Sequence, residues 1–301
     1  MRSLVRLPLL AGLLLGIGAA AAGAQRPLKV FISADMEGVA GAVTGDQLGP
    51  GGFEYERFRG FMTAEVLAAI QGARDAGATT ILVADSHGNG ENLLIERLPD
   101  DVMIVRAWPR PLMMMQGIDS SFAAAMFIGY HASTTSPVGV RAHTISSANY
   151  TALALNGVNM SEASLSAAIA GNFGVPVVMI SGDDAAVAEA RALLGNIEGA
   201  VVKRAISFHS AATMTPKAAQ QLIRERVKAA LARRSAFKPY VVRPPITLDV
   251  VFKNYRPAEI LAYLPIVQRT TSHAIRFMGR DMIEVSRFLE FIGTYEPGIS
   301  P

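Results

Sequence analysis

Three apolar stretches of this 301-residue chain run into side chains that can bind a metal. FISADMEG carries Asp35 and Glu37, TTILVADSHG carries Asp85 and His87, and SFAAAMFIGYHA leads to His131. Side chains two apart on an extended backbone point the same way. Asp35 with Glu37, and Asp85 with His87, can therefore each aim a pair at one pocket. Carboxylate and imidazole ligands in this mixture suit Zn²⁺ and also admit Mn²⁺ or Co²⁺. The chain has no cysteine, so disulfides, thiolate metal sites and cysteine nucleophiles are excluded. Each residue also has a plainer reading. A strand-end Asp35 serves equally as a turn or helix cap, His87 before Gly88 as a turn residue, and His131 as a satisfied buried histidine.

The elements that must position these groups alternate in type. LKVFISAD, TTILVADS, DVMIVRAW, SFAAAMFIGY and VPVVMISGDD read as strands. YERFRGFMTAEVLAAIQGARDAG, SEASLSAAIAGNFG and DAAVAEARALLG have helical spacing, and Asp183 or Asp184 is the cap of the last. Alternating strands and helices argue for an α/β fold with a mostly parallel sheet flanked by helices. In such sheets sites gather beyond the carboxyl ends of the strands. HTISSANYTALALNG suggests one or two antiparallel strands. After about residue 200 the pattern changes to an amphipathic helix with Pro216 in its first turn, a Pro-interrupted β-rich segment and a closing helix. Residues 25–200 then form the α/β metal-binding region. Residues 201–301 form either a smaller α+β subdomain or a continuation of the same domain.

Half of the residues are hydrophobic and 18% are charged, a globular composition, and a chain of this length needs no staple to fold. Residues 1–24 read as a secretory signal: Arg2 and Arg6, a Leu/Ala/Gly-rich run, then Ala22-Gly23-Ala24. The apolar run is short for a membrane span, so no stable membrane association is expected after cleavage. Cleavage takes the formal charge from +3 to +1 (3 − 2), which leaves no reason to expect nucleic-acid binding. A secreted, periplasmic protein is the expectation, and the lack of cysteine suits that compartment.

The segments SADMEG, ADSHG, GYHA, AHTI and LNGVNMSE, in this order and at these spacings, resemble the D-aminopeptidase family of zinc peptidases, peptidase family M55. The likeness runs from Lys29 to near the C-terminus and includes VPVVMISGDD, FKNYRPAE and MIEV. It implies metal ligands at Asp35, Glu37, His87, His131 and Glu162, a catalytic histidine at His143, and two Zn²⁺ ions per subunit with Asp35 bridging. It also implies hydrolysis of short peptides with an N-terminal D-residue, and a homo-oligomeric ring, a decamer. Three details depart from the family pattern: Ser161 stands where a glycine is expected, the interval from His131 to His143 is one residue longer, and the chain opens with a signal peptide. From the residues alone, Glu162 is an acid set against a helix dipole and His143 is a loop or strand histidine.

The implied reaction is attack by a metal-activated water, with His143 handling a proton or stabilising the tetrahedral intermediate. An aminopeptidase must also recognise a free α-ammonium. Asp85 is a candidate for that role, set against orienting His87 or capping the turn. A two-metal phosphoesterase on the same ligands is an alternative, although Arg141 is the one basic residue nominated near the motifs and phosphate sites usually recruit more. A non-enzymatic metal or solute binder is another, and it has no use for His143. No G-x-S-x-G is present for a serine hydrolase. His209 and His273 lie outside the motifs, Met113–Met115 reads as apolar packing, and Asp183-Asp184 as a helix cap.

Overall fold

The computed structural model describes residues 27–295; the expected signal peptide, residues 1–24, lies outside them. Seven strands form the main sheet: β1 (Leu28–Ala34), β2 (Ala78–Asp85), β3 (Met103–Val105), β4 (Ala124–Tyr130), then β7 (Val177–Asp183), β8 (Glu198–Ser207) and β9 (Ser210–Thr213). Their spatial order is β3-β2-β1-β4-β7-β8-β9, all parallel except the β8–β9 hairpin. The strand order reverses between β1 and β4, which makes their carboxyl ends the topological switch point, where open α/β sheets bind ligands. All seven residues of β4 are buried, as expected of a central strand covered on both faces.

Helices α1 (Tyr55–Asp75) and α4 (Pro216–Ala232) pair on one face of this sheet. Pro216 sits in the first turn of α4, where its missing N–H is not needed. Helices α2 (Glu162–Asn172) and α3 (Asp184–Leu194) cover the other face. Asp183 accepts from the Ala186 N–H and caps α3, the role read for it in the sequence.

The second sheet is antiparallel, in the order β11-β12-β10-β5-β6. It comprises β5 (Tyr150–Leu155), β6 (Val158–Asn159), β10 (Ile246–Phe252), β11 (Val267–Arg269) and β12 (Ala274–Gly279). Strict alternation of burial along β10 shows that only one of its faces is covered. Helices α5 (Tyr255–Leu261) and α6 (Met282–Thr294) accompany it, and α6 also packs on α2. The expected division at residues 200 and 201 falls inside β8, and this sheet draws β5 and β6 from the earlier segment. The C-terminal strands therefore extend a layer that the first half begins. Among the described residues no helix is long and apolar enough to cross a membrane.

Two glycines set how closely β1 and β4 approach where they leave the sheet. A Cβ on Gly38 would collide with the Tyr130 and Gly129 carbonyls. One on Gly129, at φ +75°, would collide with the Asp35 carbonyl. Only glycine permits that approach, and it brings the residues after β1 against those after β4.

Candidate metal centre

Asp35 and Glu37 leave β1, His87 leaves β2 and His131 leaves β4, so three adjacent parallel strands deliver four side chains to one end of the sheet. Glu162 opens α2, and His143 lies in the loop between β4 and β5. Ser161, where a glycine was expected, is the cap of α2, its hydroxyl accepting from the Ser164 N–H. Five of the six side chains line a cavity of about 260 Å³. His131 lies beside them, its ring stacked on that of His143 with centroids 4.1 Å apart. Asp35, Glu37, His87, His131 and Glu162 are buried, while His143 is partly exposed.

Each histidine holds one ring nitrogen against a backbone carbonyl and turns the other into the cluster. His87 Nε2 lies 2.6 Å from the Leu48 carbonyl, His131 Nδ1 2.9 Å from that of Ala132, and His143 Nδ1 2.8 Å from that of Arg141. Such a bond fixes the tautomer and presents the second nitrogen as a ligand or base. In the cluster, His87 Nδ1 is 3.1 Å from Asp35 Oδ1 and 2.8 Å from Glu37 Oε2. His131 Nε2 is 3.4 Å from Asp35 Oδ2 and 3.3 Å from Glu162 Oε2, and His143 Nε2 is 3.5 Å from Glu162 Oε1.

Three buried atoms here have no hydrogen-bond partner: Asp35 Oδ2, Glu37 Oε2 and His131 Nε2. Glu37 Oε2 is close to His87 Nδ1, but that contact lacks hydrogen-bond alignment, so it counts as an electrostatic contact only. Orphaned buried polar atoms are costly, and these three converge. With the remaining groups they make two overlapping triads whose ligand atoms lie within 4.8 Å of one another, Asp35–Glu37–His131 and His131–His143–Glu162. This donor set fits one or more divalent cations of the zinc type.

Without a metal, the cluster is held together by protons. Burial, then the charge of Glu37, raises the Asp35 carboxyl to about 8. Burial opposes the charge on His131, yet Glu162 and Asp35 raise it to about 10, and Glu37 and Asp35 likewise raise His87 against its burial. Burial works against ionisation of Glu37 and Glu162 too, but the facing histidines hold both below the usual range. His143 goes the other way: burial and the neighbouring His131 charge lower it. It is therefore a neutral imidazole at neutral pH.

The loop that carries His143 is strained. Arg141 has φ 56° and Ile145 has φ 64°, the latter a rare conformation for a β-branched residue. The first turns the Arg141 carbonyl to His143 Nδ1. The second points the Ile145 N–H at Glu162 Oε1, 2.7 Å away. Strain of this sort persists only where surrounding structure holds it, and it concentrates at functional sites.

Several sequence candidates fall elsewhere. The Asp85 carboxylate turns from the cavity and accepts from the Asn92 and Leu93 N–H groups and the Asn92 amide, which makes it the cap of that turn. Arg141 lies over the Phe208 ring and beside His209. His273 meets Ser272 and is remote from the cavity lining. Met113–Met115 forms a buried 3₁₀ turn, in which Met113 and Met114 wall the cavity.

One important residue went unread. Lys203, on β8, is buried and donates from Nζ to the Glu37, Val39 (3.1 Å) and Ala42 (2.5 Å) carbonyls. Opposite it, Glu65 accepts from the Ala40 N–H. Together they clamp the turn that carries Glu37. Its signal was a lysine directly after the apolar run Ala200-Val201-Val202 of a strand. Replacing Lys203 by Met leaves three buried carbonyls without a donor. We expect a loss of about 2–4 kcal/mol in denaturant unfolding of the metal-free protein, together with weaker metal retention.

The family model described as D-aminopeptidase, Peptidase_M55, matches residues 28–291. A D-aminopeptidase of Bacillus subtilis (strain 168) is 33% identical over 258 residues, covering 85% of this chain and 93% of its own. Among solved structures, the Zn-dependent D-aminopeptidase DppA from Bacillus subtilis, described as a self-compartmentalizing protease, is similar with a TM-score of 0.85 and 31% identity. The match covers 90% of this chain and all of that one.

Proposed function

This chain belongs to the D-aminopeptidase family, peptidase family M55, and from that premise we propose that it removes the N-terminal residue, of D-configuration, from short peptides with the help of bound zinc. The observation that carries the reading is the convergence of Asp35, Glu37, His87, His131, Glu162 and His143, with three orphaned buried atoms among them. We assign two ions per subunit to this cluster, with Asp35, Glu37, His87, His131 and Glu162 as the ligands and His143 left free as a base. When bound, zinc supplies Lewis-acid polarisation of the scissile carbonyl and lowers the pKa of an attacking water.

The chain's own groups do the rest. His143 keeps Nδ1–H on the Arg141 carbonyl and offers Nε2 as a base, accepting the proton from the attacking water and returning it to the departing amine. Burial disfavours protonation of that nitrogen. Leu289, Trp108, Met113 and Met114 line the cavity and limit the water that competes for the site. At about 260 Å³ it lies near the lower end of ligand-pocket sizes, which suits small N-terminal residues. No lysine or arginine is among the residues lining it, so a phosphate ester would find no basic side chain beside the metals, where phosphate sites usually recruit one. This favours peptide over phosphoester substrates.

Residues 1–24 direct export in this reading, and the mature enzyme acts in the periplasm on D-residue peptides such as fragments of cell-wall stems. Its partners are those peptides and further copies of itself in a decameric ring. In support, an apolar groove lies between α5 and the end of α6, with Tyr263 and Tyr295 exposed at it. The deciding experiment is metal analysis of the purified mature protein alongside hydrolysis of paired D- and L-alanyl p-nitroanilides and of p-nitrophenyl phosphate. About two zinc ions per subunit and turnover of the D-alanyl substrate are expected. Phosphate-ester turnover without peptide turnover would overturn the reading.

A further inference from the structure

An exopeptidase needs a fixed counter-charge for the substrate's α-ammonium, and the carboxylates Asp35, Glu37 and Glu162 are already engaged with histidines. Asp85, the sequence candidate, is consumed by its own turn. One further carboxylate lines the cavity, that of Glu290 on α6.

Glu290 is 8% exposed. Its Oε1 accepts from the Arg110 backbone N–H at 2.9 Å, which orients the group. Its Oε2 accepts no hydrogen bond among the described residues and, unlike the orphaned atoms of the metal cluster, is not sealed from solvent. No ion pair within 4 Å engages it there either. The nearby Arg110 guanidinium donates from Nε and Nη2 to the Ala107 and Asp85 carbonyls and lies 4.1 Å from the Trp108 ring centroid, while its Nη1 is buried without a partner and makes no ion pair with Glu290. Burial raises the Glu290 carboxyl above its usual value, opposed by the bond from the Arg110 N–H and by the Arg110 charge. The position is also unusual in sequence terms. Met282, Ser286 and Glu290 follow one another at four-residue intervals on the buried stripe of α6, where an acid is costly unless used.

We propose that Glu290 anchors the α-ammonium of the substrate and so restricts the enzyme to peptides with a free N-terminus. The inference rests on the aminopeptidase reading and adds the recognition group. With Oε1 held by Arg110, Oε2 receives one N–H of the ammonium, while the scissile carbonyl lies toward His143. Trp108, Leu289 and Gly293 line the same cavity, where Gly293 leaves room for a small side chain.

The test compares zinc-loaded wild type and Glu290→Gln on D-alanyl-p-nitroanilide and on D-lactyl-p-nitroanilide, in which a hydroxyl replaces the ammonium. Gln keeps an acceptor for Arg110 and removes only the charge. We expect KM for the D-alanyl substrate to rise about 10- to 100-fold with kcat little changed, zinc content unchanged and D-lactyl turnover unaffected. Equal losses on both substrates would make Glu290 a structural support of Arg110 and overturn the proposal, as would no loss on either. A second measurement uses wild type alone. KM for the D-alanyl substrate should rise as pH passes the amine's pKa near about 8, while KM for the D-lactyl substrate stays flat; parallel profiles overturn the proposal. If wild type hydrolyses neither D- nor L-alanyl substrates, the aminopeptidase reading fails first and this inference with it.

Discussion

His143→Ala should retain its zinc and lose about 10²- to 10⁴-fold in kcat, the usual contribution of a general acid–base group. The side chain hangs from the Arg141 carbonyl by Nδ1 and reaches the cluster by one nitrogen, 3.5 Å from Glu162. Its removal leaves Asp35, Glu37, His87, His131 and Glu162 in place. The stacked His131 ring loses a neighbour but keeps its own anchor on the Ala132 carbonyl. Because burial lowers the His143 pKa and bound zinc would replace the His131 charge beside it, the acid limb of kcat/KM in wild type should fall below the ordinary histidine value of about 6.5. In the variant that limb should vanish along with the rate. Metal analysis checks the assignment independently: zinc lost together with turnover would make His143 a ligand, which the His131–His143–Glu162 triad also permits.

His131→Ala should empty the site and take measurable turnover with it, since His131 belongs to both triads. The same substitution should destabilise the metal-free protein by about 3–5 kcal/mol, the cost of breaking a buried ion pair, because Glu162 and Asp35 lose the positive ring between them. The sign of the pH dependence follows. In the metal-free fold the His131 pKa is raised from about 6.5 unfolded to about 10. Its contribution is fully present below pH 6.5 or so and is lost as pH rises through about 10. Glu37 and Glu162 have lowered values, so their contribution is present above about 4.5 and lost as pH falls through their folded values. Metal must displace the protons on His87, His131 and Asp35. Zinc affinity of wild type should therefore rise with pH, with protons released on binding. Titration calorimetry in buffers of different ionisation enthalpy counts them. Release of none would contradict the proton-held cluster.

Much of the site was legible because its signals are local. Apolar strands ending in ligand-type side chains, with Gly38 and Gly88 just beyond, are read within ten residues of chain. Parallel strands then carry those ends to a common edge without further instruction. His143 and Glu162 were legible only through the order of motifs. A histidine in a loop and an acid in a first helical turn have ordinary roles, and it is the strained Arg141–Ile145 loop that turns them inward. The second sheet was less legible. Its strands come from residues 150–159 and 246–279, and antiparallel partners so far apart leave no periodicity that joins them.

By itself, then, the sequence determined the α/β class, the run of strands and helices, the absence of thiolate chemistry and the kind of metal the side chains prefer. These depend on residue type and near-neighbour spacing. Tertiary structure alone decided which carboxylates face the cavity. Asp85 and Glu290 are both acids in apolar surroundings, and nothing near either in sequence tells them apart. One turns back to the Asn92 and Leu93 N–H groups, while the other crosses from α6 and is held by the Arg110 N–H. Lys203 likewise acquires its role from three carbonyls more than 160 residues away. A buried polar group takes whichever partners the fold brings within reach, and those partners are fixed by packing between distant segments.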